Sequence, residues 1–196
     1  MIAYLKGKLV HKEPTHVIVE VAGIGYQAFI SFNTFSEIKD KEDIRLATYL
    51  HVREDAQLLY GFASESEKSM FLHLISVNGV GPNTAMMVLS SLTPDELKSA
   101  ILRDDAGTLQ AVKGIGGKTA QRLILELKDK LRKAPSDGTS TLPGMVNNTL
   151  RQEALTALMT LGIARAAAEK SIDAVLRKSG NTISLEDLVK QALKNA

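Results

Sequence analysis

The chain has 196 residues, no cysteine, 24 Lys and Arg against 22 Asp and Glu, and a formal net charge of +2. It therefore has no disulfide and no thiolate metal site, and no apolar run approaches the roughly 18–20 residues that span a bilayer. So small a positive balance does not by itself argue for nucleic acid, and the composition suits a cytoplasmic protein with more than one small core.

The first 62 residues read as strands. Alternating or β-branched runs occupy Ile2–Val10, His16–Val21, Tyr26–Ser31, Ile44–His51 and Gln57–Phe62, with turns between them. Five short strands predict a small closed barrel of the OB type. Met1–Lys8 opens as the first strand and lacks the basic-then-apolar layout of a signal peptide. Ala22-Gly23-Ile24-Gly25 ends in Gly-aliphatic-Gly, but strand alternation follows it at Tyr26–Ile30, which marks a β-turn. Glu54 and Asp55 stand in the turn before the fifth strand, and two acids at such a turn are ordinarily just solvated.

From residue 63 the apolar period becomes helical. Ser64 and Glu67 match the S-x-x-E capping box and open a helix through Phe71, Leu72 and Ile75. Thr93-Pro94-Asp95-Glu96 supplies an N-cap, a first-position proline and first-turn acids for a helix through Leu97, Ile101 and Leu102. Gln121–Arg132 is amphipathic, with Leu123, Ile124 and Leu127 on its inner side.

Within this segment one pattern occurs twice, 35 residues apart. Its first copy is Leu74-Ile75-Ser76-Val77-Asn78-Gly79-Val80-Gly81-Pro82-Asn83-Thr84-Ala85, its second Leu109-Gln110-Ala111-Val112-Lys113-Gly114-Ile115-Gly116-Gly117-Lys118-Thr119-Ala120. Gly-aliphatic-Gly followed by Thr-Ala and a second apolar helix is the sequence form of a helix-hairpin-helix. Glycines allow a tight turn and close approach to a ligand. The hairpin amides and the next helix N-terminus then face an anion such as a DNA phosphate. Thr84 and Thr119 fall where a hydroxyl can cap the helix or touch a phosphate oxygen. Lys118 adds charge. Lys113 and Arg122 are placed equally well for DNA contact and for ordinary solvation. The plain alternative is glycines that only turn the chain between packed helices, and the duplication favours DNA. Residues 63–134 hold 10 basic and 8 acidic residues, against 7 and 8 in residues 1–62, a weak leaning the same way.

Lys133–Asn148 is rich in Pro, Gly, Ser, Thr and Asn and reads as a linker. Beyond it, Thr149–Leu161, Arg165–Lys178 and Ser184–Ala196 read as three helices, broken at Gly162 and Gly180-Asn181. So small a bundle is more often a docking module than an enzyme. Leu158, Leu161 and Ile163 around the first break are candidates for a docking patch, although their spacing also suits a core.

Arg53-Glu54-Asp55-Ala56-Gln57-Leu58-Leu59-Tyr60-Gly61-Phe62 is followed in order by Asn78-Gly79-Val80-Gly81-Pro82, Gly114-Ile115-Gly116 with Lys118-Thr119-Ala120, Leu125-Glu126-Leu127-Lys128-Asp129, the linker and the small helical domain. On these motifs the whole layout resembles the RuvA family of Holliday-junction-binding proteins. The resemblance implies a multidomain β + α protein divided into a barrel (1–62), a tandem helix-hairpin-helix domain (63–132), a flexible linker (133–148) and a three-helix domain (149–196). It further implies a homotetramer, one or two to a junction, that holds a four-way DNA junction open during recombination and repair. The last domain would dock the AAA+ motor RuvB, and the junction resolvase RuvC is a further expected partner. Glu54 and Asp55 would form an acidic pin near the junction centre, repelling phosphates and so penalising continuous duplex. Two departures stand out: many members carry lysine where this chain has Asn83 and Gly117. That should lower affinity and its salt dependence while leaving the backbone donors intact.

Enzyme readings fare worse. Val112–Thr119 misses a nucleotide-binding P-loop, because Val112 stands where glycine is required and no buried strand precedes it. Gly79-Val80-Gly81 fails the dinucleotide fingerprint, with Thr84 in place of its third glycine. A helix-hairpin-helix DNA glycosylase, the principal alternative, needs a structured downstream acid, and Asp137 falls in the linker. A nuclease needs a carboxylate cluster for metal ions, and Glu54-Asp55 is a lone pair. His11, His16, His51 and His73 show no ligand spacing, so neither metal nor cofactor is expected. A general single-strand binder built on the barrel would need open aromatic platforms and a basic groove. A non-catalytic DNA-binding subunit is the favoured reading, with ATP hydrolysis left to the partner motor.

Overall fold

The computed structural model describes residues 1–133, 146–179 and 183–194. Most of the expected linker therefore lies outside the described residues, as do Asp137 and Gly180-Asn181. The chain forms two compact units, Met1–Pro135 and Ser136–Ala196.

In the first unit, β1 (Tyr4–Lys12), β2 (His16–Val21), β3 (Ile24–Ile30), β4 (Asp43–Val52) and β5 (Gln57–Phe62) close a barrel in the order β1-β2-β3-β5-β4. All its pairings are antiparallel except β3 with β5. Alternation supplies the inside: Leu5, Leu9, Val17, Val19, Ala28, Ile30, Ile44, Leu46 and Leu59 are buried together. Ala22 and Gly23 both have positive φ, 50° and 82°, which makes Ala22-Gly23 the centre of a tight hairpin between β2 and β3.

One element departs from the expected run of strands and turns. Phe32–Ile38 is a helix, α1, capped by the Ser31 side chain. Of its seven residues only Thr34 and Ile38 are buried, so its sequence has no apolar stripe to read.

The rest of the unit is helical: α2 (Glu65–Ile75), α3 (Pro82–Ser91), α4 (Pro94–Leu102), α5 (Ala106–Gln110) and α6 (Gly117–Lys133). Thr93 and Glu96 make the full reciprocal capping box at α4. At α2 only half of the expected box forms. Ser64 accepts from the Glu67 amide, but the Glu67 carboxylate turns away to accept hydrogen bonds from the hydroxyls of Ser31 and Thr34. Those hydroxyls belong to α1 and its cap, so tertiary partners displaced a local one. Glu67 is buried with no counter-ion among the described residues, and burial pushes its carboxyl above the usual range against the lowering effect of the two hydroxyls.

A second fastening is aromatic. Phe71 of α2 is fully buried, with ring centroids 4.9 Å from Phe62, 5.3 Å from Tyr60 and 5.5 Å from Tyr49. These barrel side chains join the core that runs through Leu74, Val80, Leu89, Leu97, Ile101, Leu109, Ile115, Leu123 and Leu127. Tyr49, Tyr60 and Phe62 are committed to this packing and offer no stacking platform for single strands, while Tyr4 and Phe32 stay exposed.

In the second unit, α7 (Val146–Thr160), α8 (Arg165–Ser179) and α9 (Leu185–Lys194) bury Leu155, Leu158, Ile172, Val175 and Leu188. Arg151 reaches from α7 to Asp173 of α8 with two parallel hydrogen bonds of 2.9 and 3.1 Å. Their charge-assisted bonding holds the Asp173 carboxyl below its usual range. α7 ends in a Schellman turn: Gly162, at φ 90°, donates to Met159 O, and Ile163 donates to Leu158 O.

Candidate nucleic-acid interface

Both copies of the repeat adopt one backbone. Ser76 N donates to Leu72 O, Val77 N to Leu74 O, Val80 N to Val77 O and Ala85 N to Gly81 O. The same four bonds recur 35 positions on, from Ala111, Val112, Ile115 and Ala120 to Gly107, Leu109, Val112 and Gly116. Gly79 and Gly114 have φ of 91° and 92°, the left-handed region that side chains resist. Burial repeats too. Val80 and Ile115 are each 5% exposed and pin the hairpin tips into the core, while the glycines around them are exposed.

This geometry changes which amides can serve a ligand. Val80 and Ile115 use their N–H groups to close the turn, at 3.1 Å in each copy, so they anchor the loop and donate nothing outward. The available donors lie just beyond. The first intrahelical bonds are those of Ala85 and Ala120, which leaves the amides of Asn83 and Thr84, and of Gly117, Lys118 and Thr119, without acceptors inside their helices. Proline removes one donor from the first copy, because Pro82 stands where the second has Gly117.

The starts of α3 and α6 also differ from those around them. Ser64, Thr93 and Asp105 cap α2, α4 and α5 with their side chains. α3 begins at Gly81 with no side-chain cap, α6 follows the side-chain-free Gly116, and neither has an acid in its first turn. A Cβ added at Gly79, Gly81 or Gly116 would meet nothing within 4 Å. Two helix N-termini thus present uncapped amides to open space, the arrangement that binds an anion. Lys118 stands in the first turn of α6, where the helix dipole opposes a cation unless an anion sits beside it.

The two tips are joined. Arg122 of α6 donates to Asn78 O of the first hairpin at 3.3 Å and pairs with Glu126 at 3.2 Å. Arg122 therefore has a bracing role as well as a charge. Asn83, where a lysine was expected from the resemblance, accepts a 3.3 Å hydrogen bond from the Tyr60 hydroxyl. Burial pushes the Tyr60 phenol up, so it remains a donor. Lys113 lines a cleft of about 400 Å³ together with Tyr60, Asn83 and Met87. Gly117 is exposed, and a side chain there would meet only Gln110, at 3.6 Å.

Glu54 and Asp55 are exposed in the β4–β5 turn, closed by Arg53 N donating to Ala56 O. Arg53 also lies 3.3 Å from Asp55, which offsets part of the acidic charge, a partner the sequence reading overlooked. Of the three docking candidates, Leu158 is fully buried in the helical core and cannot form a surface patch. It faces α8 and α9 because helix packing claims that stripe. Leu161 is 62% exposed and Ile163 is half-buried.

Two of the histidines come together with a carboxylate. Among the described residues, His11, Glu13 and His16 bring their side-chain donor atoms within 4.8 Å of one another across the β1–β2 turn. H-x-E-x-x-H carries no helical ligand spacing; only a hairpin closes it.

A closed five-stranded barrel carrying two fused, uncapped hairpin-helix starts defines a tandem helix-hairpin-helix protein of the OB-barrel type. Residues 1–61 match the family model "RuvA N terminal domain", residues 71–129 "SAM-like Helix-hairpin-helix tandem", and residues 149–196 "RuvA, C-terminal domain". Relatives named Holliday junction branch migration complex subunit RuvA are similar along their whole length. That of Cytophaga hutchinsonii is 55% identical, with 99% of each chain covered. Those of Christiangramia forsetii and Bacteroides fragilis are 48% and 42% identical, again with 99% of each chain covered. The chain belongs to the RuvA family.

Proposed function

We propose that this chain binds four-way DNA junctions without regard to sequence and serves as the DNA-holding subunit of a branch-migration complex. The observation that carries the reading is the pair of uncapped helix starts, identical in backbone and braced together by Arg122. Amides of Asn83 and Thr84, and of Gly117, Lys118 and Thr119, would donate to phosphate oxygens, with Lys118 and Lys113 adding charge. Phosphate contacts position a duplex and carry no base identity.

The division of labour follows the chain. The barrel (1–62) assembles a homotetramer and presents Glu54 and Asp55 toward the junction centre. The hairpins (63–132) grip the arms, and residues 133–148 tether the helical unit (149–196). That unit docks the AAA+ motor RuvB, with Leu161 and Ile163 as the accessible part of the patch. RuvC would act on the same held junction in the cytoplasm. The chain itself is a non-catalytic subunit. No helix among the described residues is long and apolar enough to cross a membrane.

A gel shift with a synthetic four-way junction, a linear duplex and single strands tests the reading. Tightest binding to the junction is expected. Equal affinity for the linear duplex would overturn it, and release of a base would instead support a glycosylase. Replacing Glu54 by Gln and Asp55 by Asn should strengthen binding to linear duplex; unaltered discrimination would remove the acidic pin from the account.

A further inference from the structure

The His11–Glu13–His16 cluster lies outside every role discussed so far. It sits where β1 turns into β2 through Pro14-Thr15. Glu13 N donates to His16 O at 2.9 Å and His16 N to Glu13 O at 3.3 Å, closing a two-residue loop that sets Glu13 opposite His16. Strand alternation would ordinarily put His11 on the inner face with Leu9, two residues earlier. A bulge prevents this. Leu9 pairs with Val19, whereas His11 pairs with Ile18, so the extra residue turns His11 to the outer face. Ile18 shares that face with His16, two residues before it, and the three side chains meet.

We propose that His11, Glu13 and His16 form a binding site for a borderline divalent metal ion of the zinc class. His11 Nε2 lies 3.2 Å from Glu13 Oε1, and His16 Nδ1 lies 3.6 Å from Glu13 Oε2. Each imidazole faces a different oxygen of Glu13. With one donor atom from each side chain, the three atoms lie within 4.8 Å of one another. Ligands about 2.0–2.2 Å from a tetrahedral zinc ion stand about 3.3–3.6 Å apart, so the three must draw together to hold the ion. The imidazole ring centroids are 5.4 Å apart, and exposure leaves His11 free to rotate toward the other two donors. Two nitrogen donors and one carboxylate select zinc, cobalt or nickel over magnesium or calcium, which prefer all-oxygen sites. Three protein ligands leave a fourth position for water or an outside donor. The competing explanation is a pair of exposed histidine–carboxylate contacts, which contribute little to stability. A bound dication would also change the charge of the 1–62 segment, which holds 7 basic and 8 acidic residues, from slightly negative to slightly positive.

The test uses the full chain, stripped with chelator and titrated with Zn²⁺ in a calorimeter and with Co²⁺ by visible absorption. One ion per chain is expected, with the intense d–d bands of tetrahedral cobalt. His11→Ala and His16→Ala should each weaken binding by at least about tenfold, the lower end of what even an outer-shell change costs, whereas His51→Asn should not. His11 is exposed and His16 half-buried at a turn, outside the barrel core, so far-UV circular dichroism should be unchanged in the variants. Absence of 1:1 binding, or binding undiminished in His11→Ala and His16→Ala, would overturn the proposal. Neither result bears on junction binding, which is read separately in the gel shift.

Discussion

The two hairpins share a backbone and differ in how they are mounted. The first is fastened to the barrel from several sides. Phe71 packs among Tyr49, Tyr60 and Phe62, Glu67 binds the hydroxyls of Ser31 and Thr34, and Tyr60 holds Asn83. At the far end of α3, Asn33 of α1 donates to Leu89 O at 2.6 Å and to Leu92 O at 3.1 Å. The second hairpin is mounted on the first: Arg122 reaches Asn78 O, and Met87 of α3 lies against Gly114. Its exposed residues are correspondingly freer, and the lysines are there. Turn geometry fixes the backbone in both copies, while the neighbours decide what the outer side chains can do.

The largest test of this difference is Phe71→Ala, which should cost about 3–5 kcal/mol in denaturant unfolding, as aromatic deletions in cores do. Native-state hydrogen exchange should then show Val77 and Val80 losing protection before Val112 and Ile115. Equal losses would mean that the hairpins are mounted alike.

Alanine at Gly79 or Gly114 should each cost about 1–3 kcal/mol, because both require positive φ. Gly114→Ala should be the worse of the two. Its Cβ would stand 3.1 Å from the Met87 methyl, whereas nothing lies within 4 Å at Gly79. Both should weaken junction binding in the gel shift beyond their effect on stability.

Charge gives the next effect. Lys118→Ala should lower the slope of log affinity against log salt by about 1, and Gly117→Lys should raise it by about 1. Asn83→Ala should leave the slope unchanged, since Asn83 carries no charge and its side chain is held by Tyr60. Gly117→Lys is sterically open, its nearest neighbour being Gln110 Oε1 at 3.6 Å.

The smallest effect concerns the first mount. Burial raises the Glu67 carboxyl above its unfolded value, so the folded state holds its proton more tightly. Stability from this group is therefore greatest below the ordinary glutamate range and is lost as pH rises through the raised value. Glu67→Gln should flatten that decline when unfolding is followed from about pH 4 to pH 8. An unchanged pH profile would mean that Glu67 is not the group responsible.

Much of this was legible in the sequence, for identifiable reasons. The strands announce themselves by alternation, and the helix after Thr93 by a cap that its own neighbours satisfy. The repeat showed because glycine at positive φ has no cheap substitute. What escaped notice depends on partners distant in sequence. α1 buries a polar threonine that matters only because Glu67 comes to meet it, and Glu67 itself looked like a local cap. Leu158 and Leu161 share an apolar character, and only the packing of α8 and α9 separates core from surface. The Val10 bulge, which decides where His11 points, leaves no trace in composition.

The proposed phosphate grip by the uncapped amides of α3 and α6 would have a consequence for motion. A grip that recognises base edges creates deep minima at particular sequences, and DNA moving through it must climb out of each one. Amides that meet only phosphates see the same chemistry at every nucleotide. Advancing a duplex by one base pair along its screw, roughly 3.4 Å of rise with the matching rotation, replaces each contact with an equivalent one. The free energy along the path is then periodic and shallow, with no preferred stopping place. Such a bearing holds its load firmly in the transverse directions and resists little along the axis.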